Sequence, residues 1–186
     1  MSLSEIIEKR RAVFPDQHND RPIEKEILQE ILSAANWAPT HKRTEPWRFK
    51  VFQGKSKLDL GKFIAEKYKE TAPKFSKFKY EKTEKKFQKS TCVIAICCQF
   101  DQKKSLPEWE EIAATAMAVQ NMWLKCTELG IGCYWSSPET RKFFGEFTEL
   151  SEGEECLGFF YMGYFDGVLP EGKRNSSIAE KIQWME

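Results

Sequence analysis

The chain has 186 residues, of which 41% are hydrophobic and 31% are charged, and its 29 basic and 28 acidic side chains leave a net charge of +1. A chain of this length buries roughly 70% of its unfolded surface, which is enough for one domain without a disulfide or metal staple. The composition excludes a disordered chain, and the net charge gives no overall attraction to nucleic acid or to an anionic membrane.

The sequence carries no targeting signal and no metal-binding pattern. Its longest apolar run, residues 92–98, has the length of a strand and not of a membrane span. The N-terminus lacks the basic and apolar regions of a signal peptide, so we expect a cytoplasmic protein. The six cysteines show neither the regular spacing of a disulfide framework nor the CxxC spacing of a zinc site. We therefore expect no metal.

The N-terminal part of the chain is predicted to be mostly helical. A capping box of Ser2 and Glu5 predicts a first helix that carries Arg10 and Val13 and ends at Pro15. An amphipathic helix is predicted next, at residues 24–37, and a polar loop follows at residues 38–46. A half-buried strand is then expected at residues 47–53 and a short helix at residues 55–68.

Residues 73–89 contain seven Lys and two Glu between aromatic side chains. Basic residues between aromatic ones are typical of single-stranded nucleic-acid binding, which would make residues 74–89 a nucleic-acid-binding module. The other interpretation is a mobile, partly helical flap at residues 70–90 that buries one aromatic edge and exposes its lysines. Since the net charge of the chain is close to zero, we favour the flap.

The C-terminal part predicts the rest of a sheet around one long helix. The strands are expected at residues 91–99, 131–136 and 156–165, with a helical turn at residues 138–145. The helix at residues 107–129 is either the spine of the domain or a dimer interface. Its apolar stripe is Ile112, Ala116, Val119, Trp123 and Cys126. Helices and strands do not alternate strictly, which favours an α+β fold with a mixed sheet.

Two basic pairs are candidates for binding an anion. Arg10-Arg11 is predicted at the end of the first helix, and Lys173-Arg174 lies in the C-terminal loop. Arg10 with Lys173, or with Arg174 in its place, would clamp a phosphate group. Alternatively, the first pair complements the helix dipole and the second is merely solvated. The chain has no P-loop or G-x-G-x-x-G motif, so a cofactor would carry the chemistry of an enzyme.

Five short motifs occur in order along nearly the whole chain. They are Arg10-Arg-Ala12, Ala38-Pro-Thr40 with Glu45-Pro-Trp-Arg-Phe49, Gln120-Asn121 with Gly130-Ile-Gly-Cys-Tyr-Trp135, Gly158-Phe-Phe-Tyr-Met-Gly163, and Lys173-Arg174. With this order of motifs, the chain resembles the nitroreductase family of FMN-dependent oxidoreductases, in its small single-domain branch.

The resemblance implies one nitroreductase-like domain over residues 1–186, with a mixed, mainly antiparallel sheet flanked by helices. It also implies a homodimer with FMN at the subunit interface. NADH or NADPH would be the co-substrate, and an electron-poor small molecule such as a nitroaromatic or a quinone would be the acceptor. Neither nucleic acid nor a membrane is an expected partner. A non-catalytic flavin-binding protein on the same fold is the alternative.

Eleven positions match residues that contact FMN in the family: Arg10, Arg11, Ala12, His41, Arg43, Glu45, Trp135, Ser136, Ser137, Lys173 and Arg174. The resemblance implies that the three in the loop at residues 38–46 reach the cofactor of the second subunit. It also makes Arg11 the candidate for stabilising charge on the reduced flavin. Two positions depart from the family pattern, since Ala12 replaces the usual Ser and Glu45 replaces a common Gln.

Overall fold

The computed structural model, which describes residues 1–185, contains a four-stranded sheet with helices on both faces. The strands are β1 (Trp47–Phe52), β2 (Cys92–Gln99), β3 (Ile131–Ser136) and β4 (Glu154–Tyr164). They lie in the order β1-β2-β4-β3, and each neighbouring pair is antiparallel. Parallel pairing occurs in one isolated bridge, between Ala12 and Cys133. The predicted α+β fold with a mainly antiparallel sheet is confirmed.

Five α-helices surround this sheet: α1 (Leu3–Lys9), α2 (Lys25–Ala35), α3 (Gly54–Thr71), α4 (Lys77–Lys89) and α5 (Glu108–Glu128). Short 3-10 segments lie at Pro15–Gln17, His41–Arg43, Glu139–Glu146 and Ala179–Lys181. Within residues 1–185, no helix combines the length and the apolar character that crossing a membrane requires.

The central strand β2 separates two hydrophobic cores. Because successive strand residues point to opposite faces, Ile94 and Ile96 pack with α2 and α5, whereas Val93 and Ala95 pack with α3 and α4. All of β2 except its last residue is buried, as the β-branched sequence of this strand predicts. The sheet is therefore covered by helices on both of its faces.

The first helix begins as predicted but ends earlier. The Ser2 amide donates to the Glu5 carboxylate at 2.7 Å, and the Ser2 hydroxyl accepts from the Glu5 amide at 3.3 Å, which confirms the capping box. The prediction that the helix continues through Arg10 to Val13 is wrong, because α1 ends at Lys9. The chain straightens there since the Val13 amide donates to the carbonyl oxygen of Cys133 at 2.9 Å, beside β3.

The buried face of α5 differs from the predicted stripe. Val119 and Cys126 are buried as expected, but Ile112 is 40% exposed. The helix instead turns a face with small side chains towards the sheet, including Ala114 and Ala118. Alanine at these positions lets the helix approach the sheet closely. The predicted stripe was therefore wrong in part, and apolar side chains of α5 are left on the surface.

The lysine-rich segment forms a regular helix, α4, that packs against α3. Phe87 is fully buried between the sheet and α3, whereas Phe78 is 70% exposed. Gly61 of α3 makes room for the buried ring, because a Cβ at this position would lie 2.6 Å from the Cβ of Phe87. The helical character and the burial of one aromatic edge agree with the interpretation as a flap at residues 70–90. The mobility of this segment stays a prediction.

We expect the burial of His18 to make the folded protein less stable in mild acid. It is buried against Gly163, and within residues 1–185 neither ring nitrogen has a hydrogen-bond partner. Burial lowers the pKa of His18 to about 4, below its ordinary 6.5. The unfolded chain therefore takes up this proton first, and stability falls as the pH drops from about 6.5 towards about 4, by up to about 1.4 kcal/mol per pH unit.

Urea unfolding of the wild type and of His18→Gln at pH 7 and pH 5 measures this effect. We expect the free energy of unfolding of His18→Gln to depend less on pH than that of the wild type. An unchanged pH dependence in His18→Gln would show that other groups cause it.

Candidate functional site

The two N-terminal arginines lie in different environments. The Arg10 guanidinium stacks on the Trp123 ring of α5, 4.8 Å from its centroid. The Arg11 guanidinium is held by backbone carbonyl groups. It donates to Pro170 at 3.1 Å, to Glu8 at 2.5 Å and to Arg10 at 2.9 Å. Arg11 therefore ties the C-terminal tail to the end of α1, while Arg10 keeps its donors for another partner.

The C-terminal tail places Arg174 near the two N-terminal arginines. Burial lowers the pKa of Arg10, and the neighbouring charges of Arg174 and Arg11 lower it further. We call Arg10, Arg11 and Arg174 the Arg10 cluster. Within residues 1–185, none of these guanidinium groups has a carboxylate oxygen within 4.0 Å. The cluster is thus a concentration of positive charge without a counter-ion from the described chain. Lys173 adjoins it, and its carbonyl oxygen accepts from Arg174 at 3.1 Å.

The next predicted group lies along β3. Ala12 pairs with Cys133, and Trp135 follows two residues later on the same face of the strand. The indole nitrogen of Trp135 is buried without a hydrogen-bond partner among residues 1–185. Gly158 makes space for it, because a Cβ at Gly158 would lie 2.5 Å from this nitrogen. A donor N–H that is buried without a partner is costly, so it marks a place for an acceptor.

Ser136 and Ser137 end the strand and lead into the following loop. Ser136 is half-buried and still pairs with Phe159 of β4, whereas Ser137 is exposed. Together with Ala12 and Trp135, these residues form one continuous edge of the sheet. The structure therefore brings together the predicted residues of β3 and those that follow α1.

The loop with His41, Arg43 and Glu45 lies elsewhere. His41 Nδ1 is 2.5 Å from the Glu110 carboxylate, in the first turn of α5. Arg43 and Glu45 are exposed and have left-handed backbone conformations, with φ of 56° and 43°. Such conformations are uncommon outside glycine and occur often at functional sites. Trp123 lies thirteen positions after Glu110 in α5, which is about 20 Å along the helix. One chain does not bring this loop to the Arg10 cluster.

Sequence reasoning missed two partners of these side chains. Trp123 was predicted as part of an apolar stripe, but its ring stacks with Arg10 and its indole donates to the carbonyl oxygen of Arg11 at 3.1 Å. Glu110 was not singled out, although it is the carboxylate next to His41. An acidic first turn of α5 was visible in the sequence, but its contact with a loop more than sixty residues away was not.

A cavity lined in part by Arg11 lies close to the Arg10 cluster, and it contains none of the other predicted site residues. It has a volume of about 450 Å³ and is lined mainly by apolar side chains, with Arg11 as the single predicted site residue. Val13, Phe165 and Leu169 are among its walls. Since this cavity offers few polar groups, the charges of the Arg10 cluster are better evidence for the position of an anionic ligand.

The sequence model of the Nitroreductase family matches residues 7–164. The chain belongs to the nitroreductase family. This confirms the family predicted from the five motifs, and membership indicates an oxidoreductase. The Bacillus subtilis protein YfhC, provisionally named an NAD(P)H nitroreductase, is 26% identical over 190 residues, which cover 98% of this chain and 94% of that protein.

Solved structures agree with this assignment of the nitroreductase fold. A nitroreductase-like family protein from Bacillus cereus has a TM-score of 0.83 and 31% identity, covering 100% of this chain and 97% of that one. A nitroreductase from Bacteroides fragilis, solved with bound FMN, has a TM-score of 0.73 and 23% identity, with 100% of both chains covered. The second likeness concerns the fold alone.

Proposed function

We propose that this nitroreductase family member is an enzyme that binds FMN, takes hydride from NADH or NADPH, and reduces an electron-poor small molecule such as a nitroaromatic or a quinone. The observation that carries the proposal is the Arg10 cluster, in which the charges of Arg11 and Arg174 lower the pKa of Arg10 and no carboxylate of the described chain lies within ion-pair distance. A phosphate ester is the anion that the guanidinium groups of Arg10 and Arg174 fit best, because guanidinium groups bind phosphate oxygens in pairs.

Different residues of this chain would bind different parts of FMN. Arg10 and one tail cation, Lys173 or Arg174, would hold the phosphate. The proximity of Arg174 to Arg10 supports Arg174 for this role. The free indole N–H of Trp135 would donate to a polar atom of the cofactor, and the exposed Ser137 would line its edge. At Ala12 only the backbone is available where a Ser side chain is usual.

When bound, FMN supplies the hydride chemistry, accepting a hydride from a nicotinamide and passing it to the acceptor. The protein then needs positive charge near the part of the cofactor that becomes negative. Arg11 would provide this positive charge. Its guanidinium already donates to three backbone carbonyl groups, so Arg11 would act through its charge and not through a direct hydrogen bond to the cofactor. Glu45 would oppose this effect if the loop of a second subunit approached the flavin.

Absorbance spectra of the purified protein test this proposal. We expect a yellow protein whose flavin band bleaches when NADH or NADPH is added without oxygen and returns when a quinone or a nitroaromatic is added. A yellow protein that does not bleach with either nicotinamide would contradict the enzyme and support the non-catalytic flavin-binding alternative. A colourless preparation that does not take up added FMN would contradict both.

A homodimer is part of the proposal, because the loop at residues 38–46 and the Arg10 cluster lie near opposite ends of α5. Apolar side chains also remain exposed on α5, including Trp109, Ile112 and Met117. A second copy would cover this face and bring its own loop to the cofactor. We expect sedimentation to give about twice the mass of the 21.8 kDa chain.

Substitution of the exposed face tests the dimer. Ile112→Glu should shift the protein towards the monomer and weaken its uptake of FMN, since a buried carboxylate at the interface has no partner. Val51→Glu on β1 is the matched control, because Val51 is also 40% exposed but lies on an edge strand of the sheet and not on α5. A stable 21.8 kDa monomer that retains FMN would contradict the prediction.

A further inference from the structure

A second cavity with a positive lining lies away from the Arg10 cluster, where the start of α3 meets the start of β2 and the end of α4. Its volume is about 310 Å³, and it shares no lining residue with that cluster. Gly54 and Lys57 of α3, Lys89 and Ser90 at the end of α4, and Asp20 contribute to its walls. The two lysines and the one carboxylate leave a net positive charge.

The N-terminus of α3 contributes unpaired donors to this cavity. Its N-cap residue, Gln53, makes no capping hydrogen bond through its side chain, and the first turn contains no acidic residue. The first amide groups of a helix have no partner inside the helix and carry partial positive charge. Gly54 leaves the space in front of them open, because a Cβ there would have no atom within 4 Å.

Two buried side chains in the wall also point to a ligand. Lys57 is only 8% exposed, and its ammonium group donates to the carbonyl oxygen of Ser90. Within residues 1–185, no carboxylate lies within ion-pair distance of Lys57. The Ser90 hydroxyl is fully buried and has no hydrogen-bond partner in the same part of the chain. A buried charge without a counter-ion and a buried hydroxyl without a hydrogen-bond partner are both costly, and an anion would reduce both costs.

We propose that this cavity binds a phosphate group, either as free phosphate or as the phosphate of a small monoester. Lys57 and Lys89 supply the positive charge, the first turn of α3 supplies amide donors, and the Ser90 hydroxyl supplies a further donor. Asp20 is exposed and lies in the wall of the same cavity. This site shares no lining residue with the Arg10 cluster, and only the saturation with FMN in its test rests on the proposed function.

Titration calorimetry on the FMN-saturated protein tests the proposal, because bound FMN occupies the other phosphate site. The probes are inorganic phosphate and AMP, each in a buffer without other oxyanions. We expect saturable binding, and Lys57→Met should weaken it about tenfold or more, since charged hydrogen bonds are the strong ones. Lys62→Met, an exposed lysine of the same helix, should bind as the wild type does. Tighter binding of AMP than of phosphate would identify a monoester as the ligand, and equal or weaker binding would identify the free ion.

A second pair of variants guards against a folding defect in Lys57→Met. Gly54→Asp places a carboxylate in front of the first turn and should abolish binding, whereas Gly54→Asn, of the same shape, should retain most of it. The flavin absorbance of all variants should stay that of the wild type. Absence of saturable phosphate binding to the FMN-saturated wild type would overturn the proposal. Equal binding by Gly54→Asp and Gly54→Asn, or wild-type binding by a folded Lys57→Met, would overturn it as well.

Discussion

Replacement of Arg10 by Ala should weaken FMN binding by about ten- to a hundredfold, because a hydrogen bond between charged groups contributes roughly 1.5–3 kcal/mol. Arg10 stacks on Trp123 and keeps its donors free, while Arg11 uses its own on the backbone. The chain has no glycine-rich loop to bind the phosphate through amides alone. Fluorescence titration of the flavin-free protein with FMN measures the change.

Riboflavin separates phosphate binding from a structural role of Arg10. It lacks the phosphate, so it should bind the wild type and Arg10→Ala almost equally. Arg21→Ala is a matched control, because Arg21 also stacks on an aromatic ring, 4.0 Å from the centroid of Tyr164, but lies outside the cluster. If Arg10→Ala weakens riboflavin as much as FMN, Arg10 is structural and the phosphate clamp is wrong.

The same titration decides which tail cation takes part. Arg174 is close enough to Arg10 for its charge to lower the pKa of that guanidinium, and Lys173 contributes its backbone carbonyl to Arg174. We therefore expect Arg174→Ala to weaken FMN binding more than Lys173→Ala does. The reverse order would restore Lys173 as the partner of Arg10.

Phe87→Ala should lower the free energy of unfolding by about 3–5 kcal/mol, the usual cost of removing a fully buried phenylalanine. The Phe87 ring packs edge-on against Phe159 and Tyr161, with centroid distances of 5.6 Å and 5.1 Å. Gly61 closes the other side of its pocket, so neighbouring backbone cannot easily fill the space that the ring leaves. Urea denaturation at neutral pH measures the loss.

Phe78→Ala provides the control within the same helix. Phe78 is 70% exposed, so its replacement should change stability by no more than about 0.5 kcal/mol. A small effect of both substitutions would mean that α4 contributes little to folding, as expected of a mobile flap. A large effect of Phe87→Ala alone would show that the lysine-rich helix is anchored to the sheet at its C-terminal end.

Local patterns in the sequence were sufficient to predict most of the helices and strands. The capping box at Ser2 depends on residues three positions apart, and the burial of β2 follows from its own apolar run. The order of five motifs was enough to predict the family. Each of these signals is carried by neighbouring residues or by their order along the chain, which is information that a sequence contains directly.

Only the tertiary structure determined where α1 ends, which face of α5 is buried and which charges form the site. These features depend on which surfaces of the chain pack together. The first helix ends at Lys9 because the next residues pair with β3, more than a hundred positions further on. Close packing of Ala114 and Ala118 on the sheet determined which face of α5 is buried. Apolar periodicity could not show that these alanines, and not Ile112, face the sheet. The charge of Arg174 acts on Arg10 only because the tail returns to the end of α1, where Pro170 accepts a hydrogen bond from Arg11. Contacts between residues so distant in sequence leave no local pattern, and so the charge of the site became visible only in the fold.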